Sequence, residues 1–88
     1  MEAFKKQLIE QEAVMYSNIA ACYRQGSHSK KEIEYCSKVI ERSPYLVKDP
    51  TMLSKAYLRR AYAYEHIENY VKSKEDLLRV KELQPSNQ

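Results

Sequence analysis

The chain has 88 residues, with 15 Lys or Arg against 12 Asp or Glu for a formal charge of +3, one glycine, three prolines and no tryptophan. A chain this short makes one small domain of marginal stability; its composition suits helices better than a turn-rich β architecture, and its mild charge lacks the dense basic patches of nucleic-acid binders. No apolar run approaches the ~20 residues needed to cross a bilayer and the N-terminus lacks the apolar core of a signal peptide, so the chain reads as soluble and cytoplasmic.

Residues 1–14 contain no glycine or proline, and Phe4, Leu8, Gln11/Glu12, Met15, Ile19 and Cys22 keep a helical spacing. That permits one continuous helix from about Glu2 to Gln25, ~36 Å long; the alternative is a short separate helix ending near Gln11. Gly26 closes the first helix, as a C-terminal glycine does. Ser29 with Glu32 has the form of a capping box, and Ile33, Cys36, Val39 and Ile40 make the apolar stripe of a second helix that Pro44 stops. Asp49-Pro50 reads as an N-cap followed by proline at the first helical position, opening a third helix to His66 with the stripe Leu53, Tyr57, Ala61 and Tyr64. Asn69 can cap a fourth helix carrying Tyr70, Leu77, Val80 and Leu83 up to Pro85, after which the chain should fray.

Cys22 and Cys36 both fall on apolar stripes without CxxC spacing, so both are expected to be buried and reduced. His28 and His66 lack metal-spaced partners and are expected at the surface. No metal or cofactor is expected. No Ser/His/Asp arrangement, paired carboxylates in an apolar pocket or phosphate loop is visible, which argues against an enzyme.

The chain echoes itself. Tyr16, Ala20, Tyr23, Val39 and Pro44 line up with Tyr57, Ala61, Tyr64, Val80 and Pro85, each pair 41 positions apart, and Lys31/Lys72, Glu34/Glu75 and Glu41/Glu82 keep the register. Two copies of one helical hairpin explain this pattern, each burying its apolar face against its neighbour. Alanine would let two helices approach closely, with tyrosines filling the space beside it.

Each copy resembles a tetratricopeptide repeat, an antiparallel helix pair of about 34 residues. The resemblance places repeat one at residues 13–46 and repeat two at 54–87, with 1–12 an N-terminal helix or part of a preceding repeat and 47–53 a linker or helix extension. It implies an all-α fold of antiparallel helix-hairpin repeats. Glu32 and Ser73 stand where the family has a small residue early in the second helix, and the turn glycine is displaced to Gly26 or replaced by Glu68. The 41-residue offset exceeds the family period by about seven, two helical turns. Those turns can lengthen the third helix at its N-terminus without rotating its core face, pushing the Asp49-Pro50 end beyond the body of the stack.

In this family the first helix of each pair lines a concave groove. Here that implies Val14, Ser17, Asn18, Ala21, Arg24 and Gln25 from the first copy, with Lys55, Leu58, Arg59, Tyr62, Glu65 and His66 from the second. Asn18, Lys55 and Arg59 stand where co-chaperones of the family clamp the acidic C-terminal tail of heat-shock chaperones. Lys55 and Arg59, four apart on one helix face, can hold carboxylates together, and an asparagine amide donates beside them. Leu58, Tyr62 and Ala21 would meet apolar side chains of the tail. The full clamp takes a further Lys and Asn from a preceding repeat, which Lys5, Lys6, Gln11 or another chain would have to supply.

The reading is a non-enzymatic interaction module binding a heat-shock chaperone's C-terminal tail, with no nucleic-acid or membrane partner. The alternative is a structural or oligomerisation segment of a larger scaffold that binds a different partner. Two repeats fall short of the roughly three wanted for independent stability, so a homodimer formed by helix exchange is expected.

Overall fold

A computed structural model describes residues 2–84 and contains four α-helices: α1 (Glu2–Gln25), α2 (Ser29–Glu41), α3 (Pro50–His66) and α4 (Tyr70–Leu83), with a 3-10 turn at Ser43–Tyr45 between α2 and α3. The first helix is continuous, as an uninterrupted run without Gly or Pro permits. Each helix packs on the next in sequence, making two antiparallel hairpins stacked through α2 and α3, while α1 touches α3 only lightly and leaves a groove between them. This is the all-α, tetratricopeptide-like architecture expected from the repeat.

The two later helix starts follow the sequence closely. The Asp49 carboxylate accepts from the Met52 backbone N–H at 3.1 Å, and Asn69 accepts from the Lys72 N–H at 3.3 Å. The start of α2 differs: His28 is its N-cap, without a side-chain cap, and Glu32 is buried instead of reaching back to complete a capping box. Helix α4 stops at Leu83, short of Pro85, and the expected fraying beyond it lies outside the described residues.

At the heart of the stack the alanines do what their size allows. Ala13, Ala20 and Ala61 are wholly buried, and Tyr35 of α2 lies beside Tyr16 and Tyr23 of α1, ring centroids 5.9 and 5.6 Å away. The main core joins Ala13, Val39, Leu46, Leu53, Ala56 and Tyr57. Burying each of the larger aliphatic side chains contributes ~1.5–3 kcal/mol. Leu46 ends repeat one and Leu53 begins the apolar stripe of α3. Between them Val47, Lys48, Asp49, Pro50 and Thr51 are exposed, and the chain returns to the core at Leu53.

Parts of two apolar stripes turn out to face water, although Val80 and Leu83 of the α4 stripe pack against the core. Cys22 is exposed along with Phe4, Leu8 and Met15, because these lie on the side of α1 turned away from the buried Ala13 and Ala20. Cys36 is buried as expected. Tyr70 and Leu77 of α4 are also exposed, since the face that α4 turns inward carries Ser73 and Asp76. There the Asp76 carboxylate accepts from Arg60 Nε and Nη2, both at 2.8 Å, and Arg60 Nη1 donates to the Ser37 hydroxyl at 3.0 Å. One guanidinium thus joins α2, α3 and α4, and a polar contact replaces the apolar one the stripe suggested.

Candidate functional site

The groove between α1 and α3 holds two hollows. In the first, of about 290 Å3, α1 contributes Val14, Ser17 and Asn18. Lys55 and Arg59 face them from α3, so the three residues singled out by the family resemblance share one cavity. Asn18 and Lys55 are exposed, and among the described residues Lys55 has no ion-pair partner. Arg59 is half-buried; its Nη1 donates to Ser17 Oγ at 3.2 Å and lies 3.5 Å from the Ser17 carbonyl oxygen. It therefore ties the two walls together as well as presenting charge.

Asp49, Thr51 and Met52 close the far end of this hollow. They come from the start of α3 and were not singled out as site residues. The signal was nonetheless present in the excess of the repeat offset over the family period, which lengthens α3 along the groove wall. Leu58 and Ala21 are half-buried and line neither hollow.

The second hollow, about 210 Å3, includes Tyr62 and lies one to two turns further along α3. Tyr62 is 46% exposed, and the Arg24 guanidinium sits 5.7 Å from its ring centroid, within cation–π range. Beneath them is Glu32, only 4% exposed, whose Oε2 has no hydrogen-bond partner among the described residues. Burial pushes the Glu32 carboxyl above its ordinary range, and the charges of Arg24, Arg59 and His66 partly oppose that rise. In the sequence Glu32 stood out as a capping-box partner of Ser29 and as a departure from a small residue; a charged side chain at a position that packs was the available signal. His66 and Ser29 are on the wall, and His28 and His66 are both exposed, as expected. Among the described residues no group of three His, Cys, Asp or Glu could hold a metal ion, and no helix is long and apolar enough to cross a membrane.

Residues 54–87 match the family model described as tetratricopeptide repeat. The chain is 38% identical over 58 residues to sperm-associated antigen 1 of Rattus norvegicus, covering 66% of this chain and 6% of that protein. It is 38% identical over 61 residues to mitochondrial import receptor subunit TOM34 of Rattus norvegicus, covering 69% and 18%. The human sperm-associated antigen 1 is 32% identical over 73 residues, 83% of this chain and 7% of that protein. The chain thus spans less than a fifth of the length of these relatives. No solved structure matches.

Proposed function

For a chain whose residues 54–87 match the tetratricopeptide repeat model, we propose a non-enzymatic adaptor in the cytoplasm whose α1–α3 groove holds the acidic C-terminal tail of a heat-shock chaperone. The observation that carries this reading is the meeting of Asn18, Lys55 and Arg59 in one cavity. Lys55 and the Asn18 amide would seat the terminal carboxylate, with Arg59 adding an N–H donor as it leaves or shares Ser17. Tyr62, Leu58 and Ala21 would flank the preceding residues of the tail. The start of α3 would act as an end wall, where a longer array would place another helix. Asp49 spends one carboxylate oxygen on the Met52 N–H, so it contributes a boundary that repels further acidic groups.

Titration calorimetry with matched acidic peptides, one ending in a free carboxylate and one amidated, tests the reading. The free acid should bind about tenfold more tightly, the effect of one charge-assisted contact. Equal affinities would sink it.

A second reading, self-association, is favoured by the exposed stripe of Phe4 (64%), Leu8 and Met15 on α1. A homodimer that packs this outer face of α1 against a second copy would cover that stripe, with or without exchange of the helix, since exchange alone remakes only the inner contacts. Light scattering over a range of concentrations would detect it, and a constant monomer mass at high concentration would count against it.

A further inference from the structure

Glu32 presents a chemical demand that the chain itself does not meet. Its carboxylate lies at the base of the second hollow, almost wholly removed from water, and Oε2 has no partner among the described residues. A buried carboxylate without a donor is strongly disfavoured, whereas one that gains a cation or an N–H donor is not. Arg24, which shares the hollow, is held over the Tyr62 ring and forms no ion pair with Glu32.

We infer that the hollow over Glu32 is a subsite for the side chain of a lysine in the bound polypeptide, with Glu32 accepting from the ammonium and Tyr62 lying along the stem. It rests on the preceding reading only in using the terminal carboxylate, seated by Asn18 and Lys55, as the anchor at the other end of the groove.

Elimination supports the choice of ligand. An anion would be placed against the buried carboxylate. A metal ion would find too few ligands, since no cluster of three suitable side chains exists among the described residues. The lysine ammonium is a compact point charge with three donors and no acceptor, and its aliphatic stem suits an aromatic wall. A guanidinium is broader and would compete with Arg24 for the same ring face. The neighbouring charges of Arg24 and Arg59 repel a free amine, so the subsite works only on a cation tethered to a chain anchored elsewhere. Burial raises the Glu32 carboxyl, and a ligand ammonium would restore its ionised form.

Spacing sets the register. Lys55 and Tyr62 are seven residues apart on α3, about 10 Å at 1.5 Å per residue. An extended peptide covers that distance in about three residues at ~3.3 Å each. The lysine therefore belongs about three positions before the terminal residue.

The experiment uses the full 88-residue chain and four peptides of one acidic sequence, carrying lysine or norleucine three positions before the end, each as free acid and as amide. Wild type should prefer lysine over norleucine about tenfold. Glu32→Gln should abolish that preference while keeping the free-acid preference. Tyr62→Ala, at an exposed position that leaves the core alone, should reduce it and keeps the idea testable if the Glu32 variant misfolds. Equal binding of lysine and norleucine peptides with the free-acid preference intact overturns the subsite and leaves the tail reading standing. A lysine preference that persists in Glu32→Gln also overturns it. A lysine preference that requires Glu32 but is indifferent to amidation supports the subsite and removes the tail reading instead; no binding of any peptide overturns both.

Discussion

Ser27 and Glu68, 41 residues apart, adopt the same left-handed backbone, with φ of 61° and 66°. Each follows the first helix of its hairpin, and the same pattern of bonds closes both helices: His28 N–H donates to the Tyr23 carbonyl at 2.9 Å and Asn69 N–H to the Tyr64 carbonyl at 2.8 Å. The echo in the side chains is therefore also an echo in the backbone. Gly26, one position earlier, does not take the left-handed turn. A Cβ costs ~1 kcal/mol in that region, so Ser27→Gly or Glu68→Gly should each stabilise the fold by up to about that amount. Urea unfolding of each variant checks this, and a lowered midpoint in both would contradict it.

The two-pronged contact of Arg60 with Asp76 predicts a sharp asymmetry between single and double substitutions. The Asp76 side chain is 5% exposed, and its removal strips a largely buried guanidinium of its carboxylate, leaving the Ser37 hydroxyl as its hydrogen-bond partner among the described residues. Asp76→Ala should destabilise by ~3–5 kcal/mol, enough to unfold much of so small a domain, while replacing both residues by apolar ones of similar size should recover most of the loss. Thermal melts followed by circular dichroism would separate these cases.

Glu32 predicts an inverted pH dependence. Its carboxyl is raised in the fold, chiefly by burial, so the folded chain binds more protons than the unfolded one above the ordinary value of 4.5. Stability from this residue therefore falls as pH rises from 4.5 through the folded pKa. Glu32→Gln should stabilise the chain at pH 7, and the advantage should shrink as the pH is lowered through that window. Denaturant midpoints for both proteins between pH 4 and 7 would show it; a constant difference would refute it.

The two thiols should differ in reactivity. Cys36 is 1% exposed, and burial with the charge of Glu32 pushes its pKa up to about 12, so little thiolate is available near neutrality. Cys22 is exposed. Iodoacetamide at pH 8 should label Cys22 in the folded chain and reach Cys36 only after denaturation, with peptide mass spectrometry locating the adduct.

Lys55 is the cleaner probe of the first hollow, since Arg59 also bonds Ser17. Lys55→Ala should weaken tail binding about tenfold with little change in melting temperature, as expected for an exposed cation. Calorimetry beside a thermal melt distinguishes this from a loss of fold.

Local signals were the most legible part of the sequence. Asp49 and Asn69 are caps that act within three residues, and Ala20 and Ala61 are small where helices must touch, so the starts of α3 and α4 and the stacking could be read directly. What remained hidden depends on which side of a helix meets its neighbour. Cys22 and Leu77 sit on regular stripes, but periodicity gives a face without saying what lies opposite. Leu46, the last residue of repeat one, stood on no apolar stripe, because nothing local marks a residue buried by the return of the chain. In the groove, Asn18, Lys55 and Arg59 could be found by their resemblance to the family's clamp residues, whereas the tie from Arg59 to Ser17 depends on the distance between two helices far apart in sequence. The unpartnered Glu32 likewise emerges only from packing.

That tie from Arg59 to Ser17 has a further consequence. Arg59 spans a groove whose two walls otherwise touch lightly, while α1 and α3 are each held in place by their packing on α2. Any carboxylate that captures Arg59 must do so by exchange, giving up a contact within the chain to make one outside it. The net affinity is then smaller than the strength of the new contact, and binding is coupled to release of the tie between α1 and α3.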